Sequence, residues 1–128
     1  MEVLQEIRPG RNIALDVYPS GAAKDKYEYM FFFYHGSMAH KGQWKALIDL
    51  LNTPPSTQET NQGKGKTKRP ERNFACVSYD AFGCGASDKP NDADAYLCSE
   101  LLADALAVYS KYANSTGKNV VMGHSFGT

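Results

Sequence analysis

The sequence has no surplus of either charge, few cysteines and no long apolar run, and each shortage removes a class of function. Fourteen Lys and Arg balance fourteen Asp and Glu over 128 residues, so no global field favours nucleic acid or an anionic membrane as a partner. The longest apolar run, Met30-Phe31-Phe32-Phe33-Tyr34, is far short of the ~20 residues a spanning helix needs, so no integral membrane segment is expected. Met1 is followed by Glu2 and no apolar leader comes after it, so no secretory signal is visible. Cys76, Cys84 and Cys98 make an odd number with no C-x-x-C spacing. They read as three reduced thiols in a cytoplasmic protein. Without a secretory route, the glycosylation triplet Asn114-Ser115-Thr116 reads as coincidence. Gly65-Lys66-Thr67 is not a phosphate-binding loop, because Thr60 stands where that motif needs glycine and Pro70 follows where it needs a helix. No cofactor and no metal are expected.

What remains is ordinary globular material. Hydrophobic residues at 42% and charged residues at 22% can support one core in one domain. Val3–Ile7 and Ile13–Tyr18 are short β-type runs separated by Pro9-Gly10, which predicts an opening hairpin. Tyr27–Tyr34 is apolar and aromatic without alternation, as in a strand covered on both faces. A helix is expected from about Gly42 to Leu51, with Trp44, Leu47, Ile48 and Leu51 on one stripe. Residues 52–73 contain no large apolar side chain and leave a basic balance, which predicts a solvated, disordered insertion. Phe74–Tyr79 reads as the next strand and Asp80–Pro90 as a glycine-rich loop. A long helix is expected from about Ala93 to Ala113, capped by Asp92 or Asp94. Its inner face would carry Leu97, Leu101, Ala105, Val108 or Tyr109, and Tyr112. Asn119–Met122 is then a short strand. Strand alternating with helix predicts an α/β layered domain with a largely parallel sheet.

Three motifs fall at the ends of consecutive predicted strands, where open α/β sheets place their chemistry. They are His35-Gly36-Ser37, Asp80-Ala81-Phe82-Gly83-Cys84-Gly85-Ala86-Ser87-Asp88-Lys89-Pro90, and Gly123-His124-Ser125-Phe126-Gly127. The last matches the G-x-S-x-G nucleophile elbow, in which a strained turn lifts a serine hydroxyl above the sheet. Glycines at 123 and 127 answer the crowding of neighbouring backbone there. In order and spacing the trio resembles the amino-terminal half of an α/β-hydrolase fold protein, nearest in pattern to the esterase, lipase and epoxide-hydrolase-like branch. The resemblance covers the chain apart from the 52–73 insertion. It implies Ser125 as nucleophile and the backbone N–H groups of Ser37 and Phe126 as oxyanion donors. His35, Gly36, Asp80, Gly83, Gly85, Ser87, Asp88, Gly123, His124 and Gly127 would be supporting motif residues. Serine at the apex implies acyl transfer from a small-molecule ester, thioester or amide.

The family order is Ser, then Asp or Glu, then His, and after Ser125 come only Phe126, Gly127 and Thr128. His124 is expected to turn its ring away from the nucleophile's face, His35 to bond nearby loops, and His40 to lie in solvent. Asp80 and Asp88 are expected to tie down their own loop. The sequence thus reads as a fragment that ends at the elbow, with an open sheet edge through which it could associate and no activity of its own. A catalytically silent binding protein of the same descent is the alternative.

Overall fold

The computed structural model describes residues 2–52 and 73–127. Five strands form one sheet: β1 (Glu2–Arg8), β2 (Arg11–Tyr18), β3 (Tyr29–Tyr34), β4 (Phe74–Tyr79) and β5 (Lys118–Gly123). Their order across the sheet is β1-β2-β4-β3-β5. β1 and β2 form the expected hairpin, and the turn between them places Gly10 at φ +74°, a conformation glycine enters without steric cost. β2 also runs antiparallel to β4, whereas β4, β3 and β5 are mutually parallel. The parallel half of the sheet is therefore the half that carries the three motifs.

Two helices cover opposite faces. α1 (Lys45–Asn52) is led in by a 3-10 turn over Lys41–Trp44. α2 (Cys98–Tyr112) lies on the other face. The unalternating β3 runs between them: Phe33 meets Trp44 with ring centroids 5.2 Å apart, while Phe32 meets Tyr109 at 4.9 Å. Phe32, Phe33 and Met30 are fully buried, as a doubly covered strand requires. Ile13, Leu15, Ala75, Val77 and Val108 extend the core around Met30 and Phe32.

The helix expected over 93–113 is interrupted. Ala93–Tyr96 is a 3-10 turn capped by the Asp92 carboxylate, which accepts from the Asp94 N–H. Leu97 is extended, with ψ 144°, and 53% exposed rather than on the inner face. Regular helix begins only at Cys98. From there Leu101, Ala105, Tyr109 and Tyr112 pack on the core as their spacing predicts, beside fully buried Val108. Asn114 ends this element and is buried. Its amide donates to the Tyr27 carbonyl at 2.6 Å and accepts from the Asp25 N–H. The Asn-Ser-Thr triplet therefore serves a helix-to-strand corner, and its amide nitrogen is not open to a glycan in the folded chain. The insertion expected over 52–73 lies outside the described residues, apart from Asn52 closing α1 and Asn73 leading into β4.

Candidate active site

Tyr79 of β4, Tyr34 of β3 and Gly123 of β5 stand in register across the parallel strands. The loops that follow them therefore leave the sheet side by side at its carboxyl end. All three sequence motifs are brought to this edge.

The loop after β4 is fully bonded. Asp80 is 1% exposed and accepts from the Lys41 N–H at 2.6 Å, the Ala86 N–H at 2.8 Å and the Lys41 ammonium at 3.2 Å. Burial alone would push its carboxyl up. The two amides and the ammonium outweigh that and hold it below its ordinary value. Lys41 is itself buried and also pairs with Glu2; burial pulls its pKa down, but the two carboxylates leave it raised. Gly85 sits at φ +49° against the Asp80 carboxylate, where any side chain would displace an oxygen. Gly83, at φ +88°, faces the Tyr96 ring, 2.5 Å from where a β-carbon would stand. Ser87 donates to the Asp80 carbonyl at 2.6 Å and accepts from Ala14 N–H, while Asp88 accepts from the Asn12 amide. Asp80 and Asp88 thus tie down their own loop, as expected.

The loop after β3 is equally determined at its base. His35 is buried; its Nε2 accepts from the Ala81 N–H at 2.9 Å, and its Nδ1 lies 2.7 Å from the Gly36 carbonyl. The Gly36 N–H donates to Gln43 Oε1 at 3.1 Å. Ser37 is exposed, and no described backbone or side-chain group accepts from its N–H. His40 is exposed, as expected, and its Nδ1 caps the following 3-10 turn through Gly42 N–H.

The elbow interlocks with that loop. His124 N–H donates to the Tyr34 carbonyl and Gly127 N–H to the His124 carbonyl, at 3.1 and 3.0 Å. A β-carbon on Gly127 would stand 2.5 Å from the Tyr34 oxygen and 2.8 Å from the His35 oxygen, so the turn closes only with glycine. Ser125 has φ +54°, a left-handed conformation that costs a side-chain-bearing residue about 1–2 kcal/mol. Within Ser125–Gly127 the described chain makes a 3-10 turn. The His124 ring lies against Gly36, with Nδ1 2.7 Å from where a Gly36 β-carbon would stand. Beside Phe126 and Gly127 a cleft of about 410 Å³ opens between α2 and the sheet, lined by Tyr34, Tyr79, Leu101, Ala105 and Val121. Burial pushes the Tyr34 phenol up to about 12 and the Tyr79 phenol up as well, so both stay protonated at neutral pH.

Sequence reasoning passed over Asp104. It is 1% exposed on the inner face of α2 and accepts from Arg11 Nε at 2.7 Å, Arg11 Nη2 at 2.6 Å and Arg8 Nη1 at 2.9 Å. The signal was present, since 104 falls between Leu101 and Val108 at helical spacing. Lys41 and Gln43 gave no such signal.

No family model matches the chain. Protein ABHD8 of mouse is 29% identical over 125 residues, covering 94% of this chain and 23% of that protein. The human protein of that name matches to the same extent. Among solved structures, a thioesterase domain from the curacin biosynthetic pathway superposes with TM-score 0.67 at 19% identity, over 99% of this chain and 37% of its own. The epoxide hydrolase VrEH1 from Vigna radiata gives 0.66 at 18%, over 99% and 31%. The chain has the α/β-hydrolase fold. It corresponds to the amino-terminal part of that fold, and it spans about a quarter of the length of the curated relatives it matches. β5 pairs only with β3 among the described residues, and Val121, Phe126 and Leu102, which line one cleft, are each more than half exposed.

Proposed function

We propose that these residues form the nucleophile and oxyanion half of a serine acyl-hydrolase site. The reading rests on Ser125, held at positive φ just after a parallel strand, between His124 and Gly127, which pack against the His35-Gly36 turn. In the reaction the Ser125 Oγ bonds to an ester, thioester or amide carbonyl carbon, and the carbonyl π electrons move to oxygen. The N–H groups of Ser37 and Phe126 then stabilise the oxyanion, each by roughly 3–4 kcal/mol. The oxygen's electrons return as the leaving group departs with a proton, and water repeats the sequence to release the acid.

Ser125 needs a base to take its proton, and no histidine among the described residues is placed for this. Both nitrogens of His35 are engaged, His40 caps a turn, and the His124 ring rests on Gly36. The base and its orienting acid would therefore come from residues other than these. The 128 residues alone are expected to be silent, at a cost of about a million-fold in kcat. A fluorophosphonate should label Ser125 slowly and leave Ser125→Ala unlabelled. Rapid stoichiometric labelling would show that the elbow is activated without a further histidine. Joined to a segment carrying acid and base, the chain should hydrolyse p-nitrophenyl esters, and undiminished hydrolysis by Ser125→Ala would sink the assignment.

A second reading is favoured by the unpaired β5 edge and its apolar neighbours: the chain associates with another protein through that edge. Concentration-dependent sedimentation tests it.

A further inference from the structure

We infer that His35 is a positioning residue for the oxyanion donor, and that the loop after β4 fixes the tautomer in which it works. The inference rests on the acyl-hydrolase reading for its catalytic meaning but not for its geometry. A peptide unit is planar and trans, so its C=O and N–H point in opposite directions. The N–H assigned to the oxyanion at Ser37 therefore belongs to the same plane as the Gly36 carbonyl, and whatever holds that carbonyl aims the donor.

Two groups hold it: His35 Nδ1 at 2.7 Å and the Ala39 N–H at 3.2 Å. A carbonyl oxygen only accepts, so Nδ1 must carry a hydrogen. The Ala81 N–H only donates, so Nε2 must be bare. One neutral tautomer satisfies both bonds. Ala81 directly follows Asp80, whose carboxylate is anchored by Lys41 and Ala86. A continuous relay thus runs from the anchored Asp80 loop through the Ala81 N–H, the imidazole and the Gly36 carbonyl to the Ser37 N–H. Accepting two hydrogen bonds at the carbonyl also polarises the peptide and makes its N–H a better donor. The preceding peptide is pinned independently by Gln43, so His35 acts on the Gly36–Ser37 unit and not on the turn as a whole.

The 128-residue chain suffices for the test. Nitrogen-15 NMR should show His35 protonated at Nδ1 and bare at Nε2; the opposite tautomer overturns the proposal without any variant. His35→Asn keeps a side-chain N–H able to reach the Gly36 carbonyl, whereas His35→Gln keeps an acceptor able to reach Ala81 but not that donor. Comparing folded variants, the Ser37 amide resonance should stay near its wild-type position in His35→Asn and move in His35→Gln. Ser125 phosphonylation by the fluorophosphonate should remain within about threefold in the first and fall about ten- to hundredfold in the second. An unmoved Ser37 amide in folded His35→Gln, or equal phosphonylation of the two variants, refutes the relay. If Ser125 is never labelled even when the chain is joined to a segment carrying acid and base, the acyl-hydrolase reading fails, while the His35 tautomer and the Ser37 resonance still decide the relay.

Discussion

The loop after β4 and the elbow after β5 leave the same sheet edge, yet they are built on opposite terms. In the first, Asp80, Ser87 and Asp88 have their polar groups occupied by Lys41, Ala86, Ala14 and Asn12. In the second, His124, Ser125 and Phe126 are exposed, and a serine is held in a conformation it would not choose. The contrast separates two reasons for a motif to look specific. One is a cradle whose residues satisfy one another, and the other is an exposed turn with a serine held at positive φ. The first supplies the rigidity against which the second is strained.

The largest effect should come from the satisfied side, at Asp104. Two arginines converge on this carboxylate in the core, and Arg11 also lies over the Phe82 ring, 3.8 Å from its centroid. Asp104→Ala leaves buried guanidinium without its partner and is expected to cost about 3–5 kcal/mol in urea unfolding. A loss under 1 kcal/mol would mean that water enters this site and that the cradle is less closed than its distances indicate.

Asp80 comes next, and its effect carries a pH signature. Because its folded pKa lies below the unfolded one, the folded state binds fewer protons between the two values and stability rises with pH there. Its contribution is complete above the unfolded value of about 4 and is lost as pH falls through the folded value. Asp80→Asn should cost about 1–3 kcal/mol at neutral pH by leaving Lys41 short of a partner. It should also flatten the acid limb of the stability curve. An unchanged acid limb would reassign that limb to other carboxylates.

The legibility of the sequence divides along the same line. The strands of the core were readable because burial writes itself as composition: Met30 to Tyr34 had no polar interruption, and the structure buries β3 between α1 and α2. The hairpin was readable from Pro9-Gly10. The break at Leu97 was not, because nothing in an apolar leucine announces an extended residue between two helical turns. The His35 relay was visible only as an expectation that the ring bonds nearby loops. Its partners are the Gly36 carbonyl and the Ala81 amide, and backbone groups leave no mark in a sequence. Likewise, the expectation that His124 points away from the nucleophile gave no hint that its ring rests on Gly36.

On the strained side a substitution should stabilise. Ser125→Gly relieves a conformation costing about 1–2 kcal/mol, offset by the roughly 0.5–1 kcal/mol of extra chain entropy glycine loses on folding. A net gain of up to about 1 kcal/mol is expected, with all labelling at this position abolished. Ser125→Ala keeps the positive φ and should gain nothing. If glycine destabilises as much as a core truncation, the serine side chain is holding the turn rather than being held by it, and the contrast between cradle and elbow collapses.

The smallest effect on stability is expected at the apolar surface beside β5, and it sharpens where the core ends. Val121 is 52% and Leu102 60% exposed, so each already gives up about half of the transfer free energy that full burial would return. Val121→Thr with Leu102→Gln should change unfolding free energy by no more than about 0.5 kcal/mol per site. The apolar surface they interrupt lies along a strand paired on one side only among the described residues, an arrangement prone to edge pairing. Sedimentation should therefore show the parent chain self-associating with concentration and the double variant less so. A loss of 2 kcal/mol or more would place these side chains inside a packed interface, for which their exposure gives no warrant. A stability-neutral variant that associates just as strongly would instead put the contact on backbone pairing of β5 alone. A proline at Val121 would then separate the two contributions, because it removes a ladder donor as well as the side chain.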